Sequence, residues 1–512
     1  MPGRHWVDRA AELPGAPAAR VLQVSPPQWR QLAQDMASSG GRLLALWVSG
    51  DSAGGVQVRA AFAAAAGILV AELQLSNAAE EYPGLEQAFP AASRMQRAAA
   101  DLTGVRSTDP DRRPWLRHAA WPEAFRPLLD ATVPEPPASP SIDHYAFVRV
   151  GGEGVHEIPV GPVHAGIIEP GHFRFSIVGE KVLWLEERLG YVHKGIERRF
   201  TELPIMEGHR LAARVSGDCA VAFSWAYCQA LEALAGIELA PRAAWLRALC
   251  LEHERIANHL GDLGALGNDA GFSFGLAQFS RLKEHWLRCT ERALGQRYLL
   301  DAVVPGGTRT DLASAASTGI RHDVAQILRE VAVLRNIYDE HSGVRDRFVA
   351  AGRVEPALAA RLGLTGLAGR ASGQAFDLRV DQPWFPYNAL APVKCGSTEG
   401  DVAARVAVRF DELIESCRLV QRILDGMPAG DHLVPVPTPA ANALGLGAIE
   451  GWRGPVIVAL EAGEAGRIRR CHPHDPSWQN WPVLEHAIHG NIVPDFPLIN
   501  KSFNLSYSGH DL

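Results

Sequence analysis

Apolar positions recur at two different spacings along this chain, and the change of spacing divides it. Up to about residue 130 they come in short runs of strand type, "RLLALWVSG" (42–50) and "AGILVAELQL" (66–75), beside one alanine-rich stretch, "AASRMQRAAADLTGV" (91–105). Short apolar runs bounded by turn residues read as strands, so a small α+β domain is expected over 1–130. It carries no metal or phosphate motif. Next comes "ATVPEPPASPSIDH" (131–144), whose four prolines forbid regular structure and predict an extended linker over 131–142.

The remainder, 143–512, opens with strand-like pieces, "YAFVRV", "HEIPVG" and "HFRFSIVGEKVLWLEERLG", and then turns helical. Helices are predicted over about 203–235, 242–267, 278–299, 313–339 and 400–425. In the last of these, Val402, Val406, Val408, Phe410, Leu413, Ile414, Cys417, Leu419, Val420 and Leu424 repeat at three- and four-residue intervals. Such stripes need one another for burial, which implies a bundle. The tail, 449–512, is rich in proline and is expected to return to strands and loops. The fold class is therefore α+β, a small N-terminal α+β domain followed by a mainly α-helical bundle domain with peripheral β-strands.

Composition narrows the function. At 512 residues, 47% of them hydrophobic and 21% charged, with a net charge of −7, the chain lacks a basic stretch able to neutralise a run of phosphates. Nucleic acid is not an expected partner. The N-terminus has no continuous apolar segment, and nowhere do about 18 apolar residues run uninterrupted. A cytoplasmic protein that does not itself span a membrane is expected. Seven cysteines, at 219, 228, 250, 289, 395, 417 and 471, are too sparse for a disulfide scaffold, and no two form a CxxC pair. Most are expected to be buried thiols.

Several phrases in the second part occur in an order that carries a resemblance. They are "VGPVHAGIIEPGHFRF" (160–175), "LGYVHKGIERRF" (189–200), "HERIANHLGDLGALGNDAGFSFG" (253–275), "VVPGG" (303–307), "FDLRVDQPWFPYNAL" (376–390), "EGDVAARVAVRFDELIESCRLV" (399–420) and "IEGWRG" (449–454). Together they resemble the large subunit of group 4 nickel-iron hydrogenases, of the hydrogenase-4 and formate hydrogenlyase type. That family is homologous to the subunit of NADH-quinone oxidoreductase (complex I) that lines the quinone chamber. "MQRAAADLTGVRSTDPDRRPWLRH" (95–118) is similar, more weakly, to the small complex I subunit often fused in front of it.

In active members four cysteines hold nickel and iron, two in R-x-C-G-x-C and two in D-P-C-x-x-C-T-D-R. Here the first motif reads "RVSGDC", and the C-terminal "NLSYSGHDL" aligns on Tyr507, Ser508 and Asp511. The four ligand positions become Ser216, Cys219, Ser506 and Gly509. Soft thiolate suits a low-valent nickel-iron pair; a serine hydroxyl is hard and weakly acidic, and glycine offers no donor at all. A structural zinc would also lack ligands. The resemblance further implies a processed extension beyond the last motif in active members, whereas this sequence runs three residues past Gly509.

The resemblance places a proton-transfer glutamate at Glu169 in "IIEPGH" and matches Arg453 to the arginine of E-A-P-R-G and Asp511 to the aspartate of T-D-R. With His193 and Arg214 these are the candidate polar-handling residues around a vacated pocket. A Glu169–Arg453 salt bridge inherited with the fold is an alternative, as are structural roles for His164, His172 and His193. Glu252, Glu254 and Arg255 read as ordinary ion pairs. The quinone-chamber motif G-P-Q-H-P-x-x-H-G is matched only at His164, and the position of its quinone-binding tyrosine falls on Gly217. The implied function is a peripheral-arm subunit on the cytoplasmic side of the membrane, binding no cofactor of its own. It would pack against an iron-sulfur small subunit, similar to the one in complex I, that holds a four-iron four-sulfur cluster, with antiporter-like membrane subunits beyond. The alternatives are an active hydrogenase and a non-catalytic scaffold.

Overall fold

The computed structural model describes residues 3–50, 55–77, 80–118, 121–135, 145–164 and 168–512. The expected linker is described only as far as Glu135, and the rest of it lies outside these residues.

The N-terminal strands are β1 (Ala11–Leu13), β2 (Gly15–Ala16), β3 (Ala19–Gln23), β4 (Arg42–Gly50), β5 (Val56–Ala64) and β6 (Gly67–Leu75). Five of them form one sheet in the order β1-β3-β6-β5-β4. The apolar runs predicted β4 and β6. The intervening β5 went unread because Gln57 and Arg59 interrupt its apolar pattern. Arg59 is nevertheless buried, since Glu72 (2.7 Å) and Glu461 (2.6 Å) neutralise it. The alanine-rich stretch forms the helix Ala92–Thr103 against β4, closed by Gly104 at φ +76°.

β7 (Val155–Val160), β8 (His172–Val178) and β9 (Lys181–Arg188) make an antiparallel sheet, β7-β8-β9. "YAFVRV" forms no strand; Val148 instead donates its N–H to Glu186. The bundle follows, and its first predicted helix is broken in two, Gly208–Ala212 and Ala220–Ala235, by the turn that carries Ser216 and Cys219. Helices Pro241–Asp269, Ser273–Leu294, Ser314–Glu340 and Val402–Gly426 form where the periodic stripes place them. On the last, Leu413, Cys417, Leu419, Val420 and Ile423 are fully buried, but Ile414 is 37% exposed. Each buried Leu or Ile contributes about 1.5–3 kcal/mol. A small hairpin, β10 (Val303–Val304) and β11 (Gly307–Thr308), contains the VVPGG phrase.

The tail departs from expectation. It holds β12 (Leu444–Glu450), β13 (Pro455–Ala462) and β14 (Ile468–His474), and then three helices, Ser477–Ala487, Phe496–Phe503 and Tyr507–Asp511. Proline is at home in a first helical turn, where its missing N–H has no partner to lose. Pro497 stands in such a turn and Pro476 at the N-cap just before its helix, although Pro482 lies inside its helix. The C-terminal sheet has the order β14-β13-β12-β2, so its edge is closed in parallel by the N-terminal β2. Among the described residues no helix is long and apolar enough to cross a membrane.

Candidate functional site

The site is built where two chain breaks meet. The first is the turn after Ala213. Cys219 donates its backbone N–H to Ser216 O (3.0 Å) and then starts the helix Ala220–Ala235 without capping it by its side chain. Glu254, from the helix Pro241–Asp269, does the capping, accepting from Val221 N (2.7 Å) and Ala222 N (3.3 Å). Burial pushes the Glu254 carboxyl up to about 8 despite those two donors. The second break is at Ser506, whose Oγ accepts from Gly509 N (2.8 Å) and so caps the helix Tyr507–Asp511.

Ser216 Oγ and Ser506 Oγ lie 3.0 Å apart, and Ser216 donates to Asp218 Oδ1 at 2.7 Å. The protons are thereby ordered in one direction. Gly509 N–H donates to Ser506, Ser506 to Ser216, and Ser216 to Asp218, each bond polarising the next. Arg453 closes the far side. Its Nη1 donates to Asp218 (3.0 Å) and to Cys219 Sγ (3.2 Å), and its Nε to Asn504 O (2.5 Å). Its Nη2 also bonds Asp218, and the guanidinium lies 4.2 Å from the Trp452 ring centroid. Desolvation would raise the Asp218 carboxyl, but Arg453 holds it below its usual range. Burial drives the Cys219 thiol well above its ordinary value, outweighing the same guanidinium. Cys219 is thus a neutral thiol at physiological pH.

Gly509 is the fourth ligand-aligned position. A Cβ built on it would stand 2.4 Å from Asp475 Oδ2. Asp475 is buried, its Oδ1 accepts from Ser477 N (2.8 Å), and its Oδ2 has no hydrogen-bond partner among the described residues. The space a side chain at 509 would need therefore belongs to a carboxylate.

The C-terminal helix also gathers the other candidates. Glu169, exposed, accepts from Ser508 N (3.0 Å) and from Ser508 Oγ. Asp511, fully buried, accepts from Val192 N (3.1 Å) and His510 Nδ1 (2.8 Å), while its carbonyl accepts from His193 Nδ1 (2.7 Å). Glu169 and Arg453 thus make no salt bridge with each other. Arg214 stands apart, half exposed and paired with Asp301 at 2.6 Å. His172 bonds the Gly161 carbonyl at 3.2 Å, and the buried His164 Nε2 has no hydrogen-bond partner among the described residues. Glu252 and Arg255 do sit in a buried ion-pair network with Arg379, whereas Glu254 pairs with backbone. Asp475 and Ser477 belong to no motif, and no sequence signal pointed to them. Among the described residues no three of His, Cys, Asp and Glu are grouped to hold a metal ion.

Known proteins place this geometry. The family model described as "Respiratory-chain NADH dehydrogenase, 49 Kd subunit" matches residues 269–444. Formate hydrogenlyase subunit 5 of Escherichia coli is 32% identical over 84% of this chain and 77% of its own length. The chain belongs to the 49 kDa complex I subunit and group 4 hydrogenase large-subunit family. Another similar member is the carbon monoxide-induced hydrogenase of Rhodospirillum rubrum, 31% identical over 68% of this chain and 97% of that protein. The fold also occurs in a chain of the membrane-bound sulfane sulfur reductase, an archaeal respiratory membrane complex. That chain superposes with a TM-score of 0.66 at 24% identity, covering 70% of this chain and 99% of its own. Relatives of this family member are subunits of membrane-bound hydrogenase and complex I-like assemblies.

Proposed function

We propose that this chain is a peripheral-arm subunit of a membrane-associated, complex I-like oxidoreductase assembly, working there without a nickel-iron centre. The observation that carries the second half is the 3.0 Å contact between Ser216 and Ser506, with Asp475 filling the space beside Gly509. Hydroxyls bonded to each other, a single thiol and a carboxylate do not fit a centre that needs four soft thiolates. The Arg453 guanidinium supplies the positive charge next to Cys219 and Asp218.

In this reading the chain binds no cofactor. It packs against an iron-sulfur small subunit similar to the one in complex I, with antiporter-like membrane subunits beyond, on the cytoplasmic face of the membrane. Its own residues handle protons. Glu169 offers a solvent-facing carboxylate on Ser508, Asp511 holds a buried one against His510 and His193, and the Ser506–Ser216–Asp218 chain orders a separate set of donors beside Arg453.

The test is purification with the subunits encoded beside it, followed by metal analysis and a hydrogen-uptake assay. Iron and sulfide without nickel, and no hydrogen uptake, are expected. Stoichiometric nickel or hydrogen-dependent dye reduction would overturn the proposal. Glu169→Gln and Arg453→Lys are expected to lower the activity of a normally assembled complex; full activity in both would leave only the scaffold reading.

A further inference from the structure

Away from that site, a cleft of about 450 Å³ opens beside the C-terminal end of the helix Ala92–Thr103. Its walls come from that helix, the segment 106–117 and the segment 123–126, and they carry six arginines against four carboxylates. Three of the carboxylates are committed. Asp101 Oδ2 accepts from the backbone of Trp115 (2.6 Å), Leu116 (2.7 Å) and Arg117 (3.1 Å). Asp111 clamps Arg97 and Arg113, and Glu81 holds Arg112. Glu123, the fourth, is exposed and makes no ion pair among the described residues. This leaves Arg106, Arg117 and Arg126, whose guanidinia have no hydrogen-bond or ion-pair partner among the described residues.

These three come from separate segments, and the fold fixes where two of them start. Arg117 is pinned through its backbone by Asp101, and Arg126 by its N–H to Asp130 (2.7 Å). Gly104 makes room for the second, since a Cβ there would stand 3.0 Å from Arg126 Cδ. The carbonyl end of the helix draws guanidinia toward the cleft, but it supplies only about half a negative charge. Single surface arginines are usually just solvated. Three converging on one concavity, in a chain of net charge −7, call for a counter-charge from outside. The volume lies within the range of about 300–1,000 Å³ typical of small-ligand sites.

We propose that this cleft binds a small polyanion, a molecule carrying two or more phosphate or carboxylate groups, through Arg106, Arg117 and Arg126. Guanidinium forks match either group in bidentate fashion, so the two share one recognition chemistry. The proposal stands independently of the polar site.

Calorimetric titration of the full-length chain at low ionic strength, with pyrophosphate and with citrate as separate probes, tests it. Saturable binding of at least one is expected, and the one that binds tells phosphate from carboxylate. Arg106→Gln, Arg117→Gln and Arg126→Gln should each weaken it about tenfold, the loss of one charged hydrogen-bond partner. Arg329→Gln, which removes an exposed arginine from the helix Ser314–Glu340, should leave it within about twofold, as expected of screened charge. No saturable binding of either probe, or equal weakening by Arg329→Gln, overturns the proposal.

Discussion

Ser216 Oγ and Ser506 Oγ stand 3.0 Å apart across 290 residues of sequence, which makes the C-terminal helix part of the same site as the turn before Cys219. Two thiols placed there would be within reach of each other. The double variant Ser216→Cys/Ser506→Cys is expected to form an internal crosslink on mild oxidation, read as a two-dalton mass loss in the peptide map and as loss of two free thiols. In a Cys219→Ala background, where Ser216→Cys cannot create a CxxC pair with the free Cys219, neither single variant should do so. Absence of the crosslink would separate the two segments.

Gly509 faces a carboxylate at a distance no real Cβ tolerates. Gly509→Ala is expected to lower stability by about 1–3 kcal/mol in urea unfolding, the usual range for overpacking. Asp475→Ala in the same chain should recover much of that loss, a coupling of about 1 kcal/mol or more between neighbours in contact. Strictly additive effects would mean that Asp475 is not the obstacle.

Arg453 holds Asp218 and Cys219 together from a buried position, 5% exposed, while the Asp218 side chain is 36% exposed. The cost of Arg453→Ala therefore lies between that of a surface pair and that of a fully buried one, about 2 kcal/mol. Arg453→Lys keeps the charge but not the forked contact to both oxygens, and should recover only part. The urea midpoints of the three proteins check the order.

Glu254 gives a pH signature. Its carboxyl is raised by burial to about 8 in the folded chain, against an ordinary value of 4.5. Between those values the folded state binds the proton that the unfolded state has released, so stability is fullest below about pH 4.5 and falls as pH rises through 8. The slope from this one group is at most about 1.4 kcal/mol per pH unit. Glu254→Gln should flatten that slope and be relatively more stable at pH 8 than at pH 5. Parallel stability curves for the two proteins would show that Glu254 ionises normally.

The periodic stripes of the long helices were legible because burial on one face dictates spacing, and the bundle followed from them. The tail was not, because a proline reads as a breaker in sequence, whereas Pro476 and Pro497 begin helices. Strand β5 was missed because Arg59 looks like a solvent-facing residue until Glu461, about 400 positions away, is folded onto it. The same limit governs the site. The alignment named Ser216, Cys219, Ser506 and Gly509, yet the direction of Arg214 depends on Asp301, and the blockade at Gly509 depends on Asp475. Partners that distant leave no local pattern to read.

The two residues of β2 cover the outer edge of β12, and Arg59 neutralises a glutamate of β13. Cutting the chain before residue 143 would strip both away at once. The longer fragment would carry an open row of backbone donors and acceptors next to a buried glutamate, Glu461, left with Arg469 (2.6 Å) as its single cationic partner among the described residues, and such edges recruit other chains. Expressed alone it should precipitate or self-associate, whatever its remaining helices can bury.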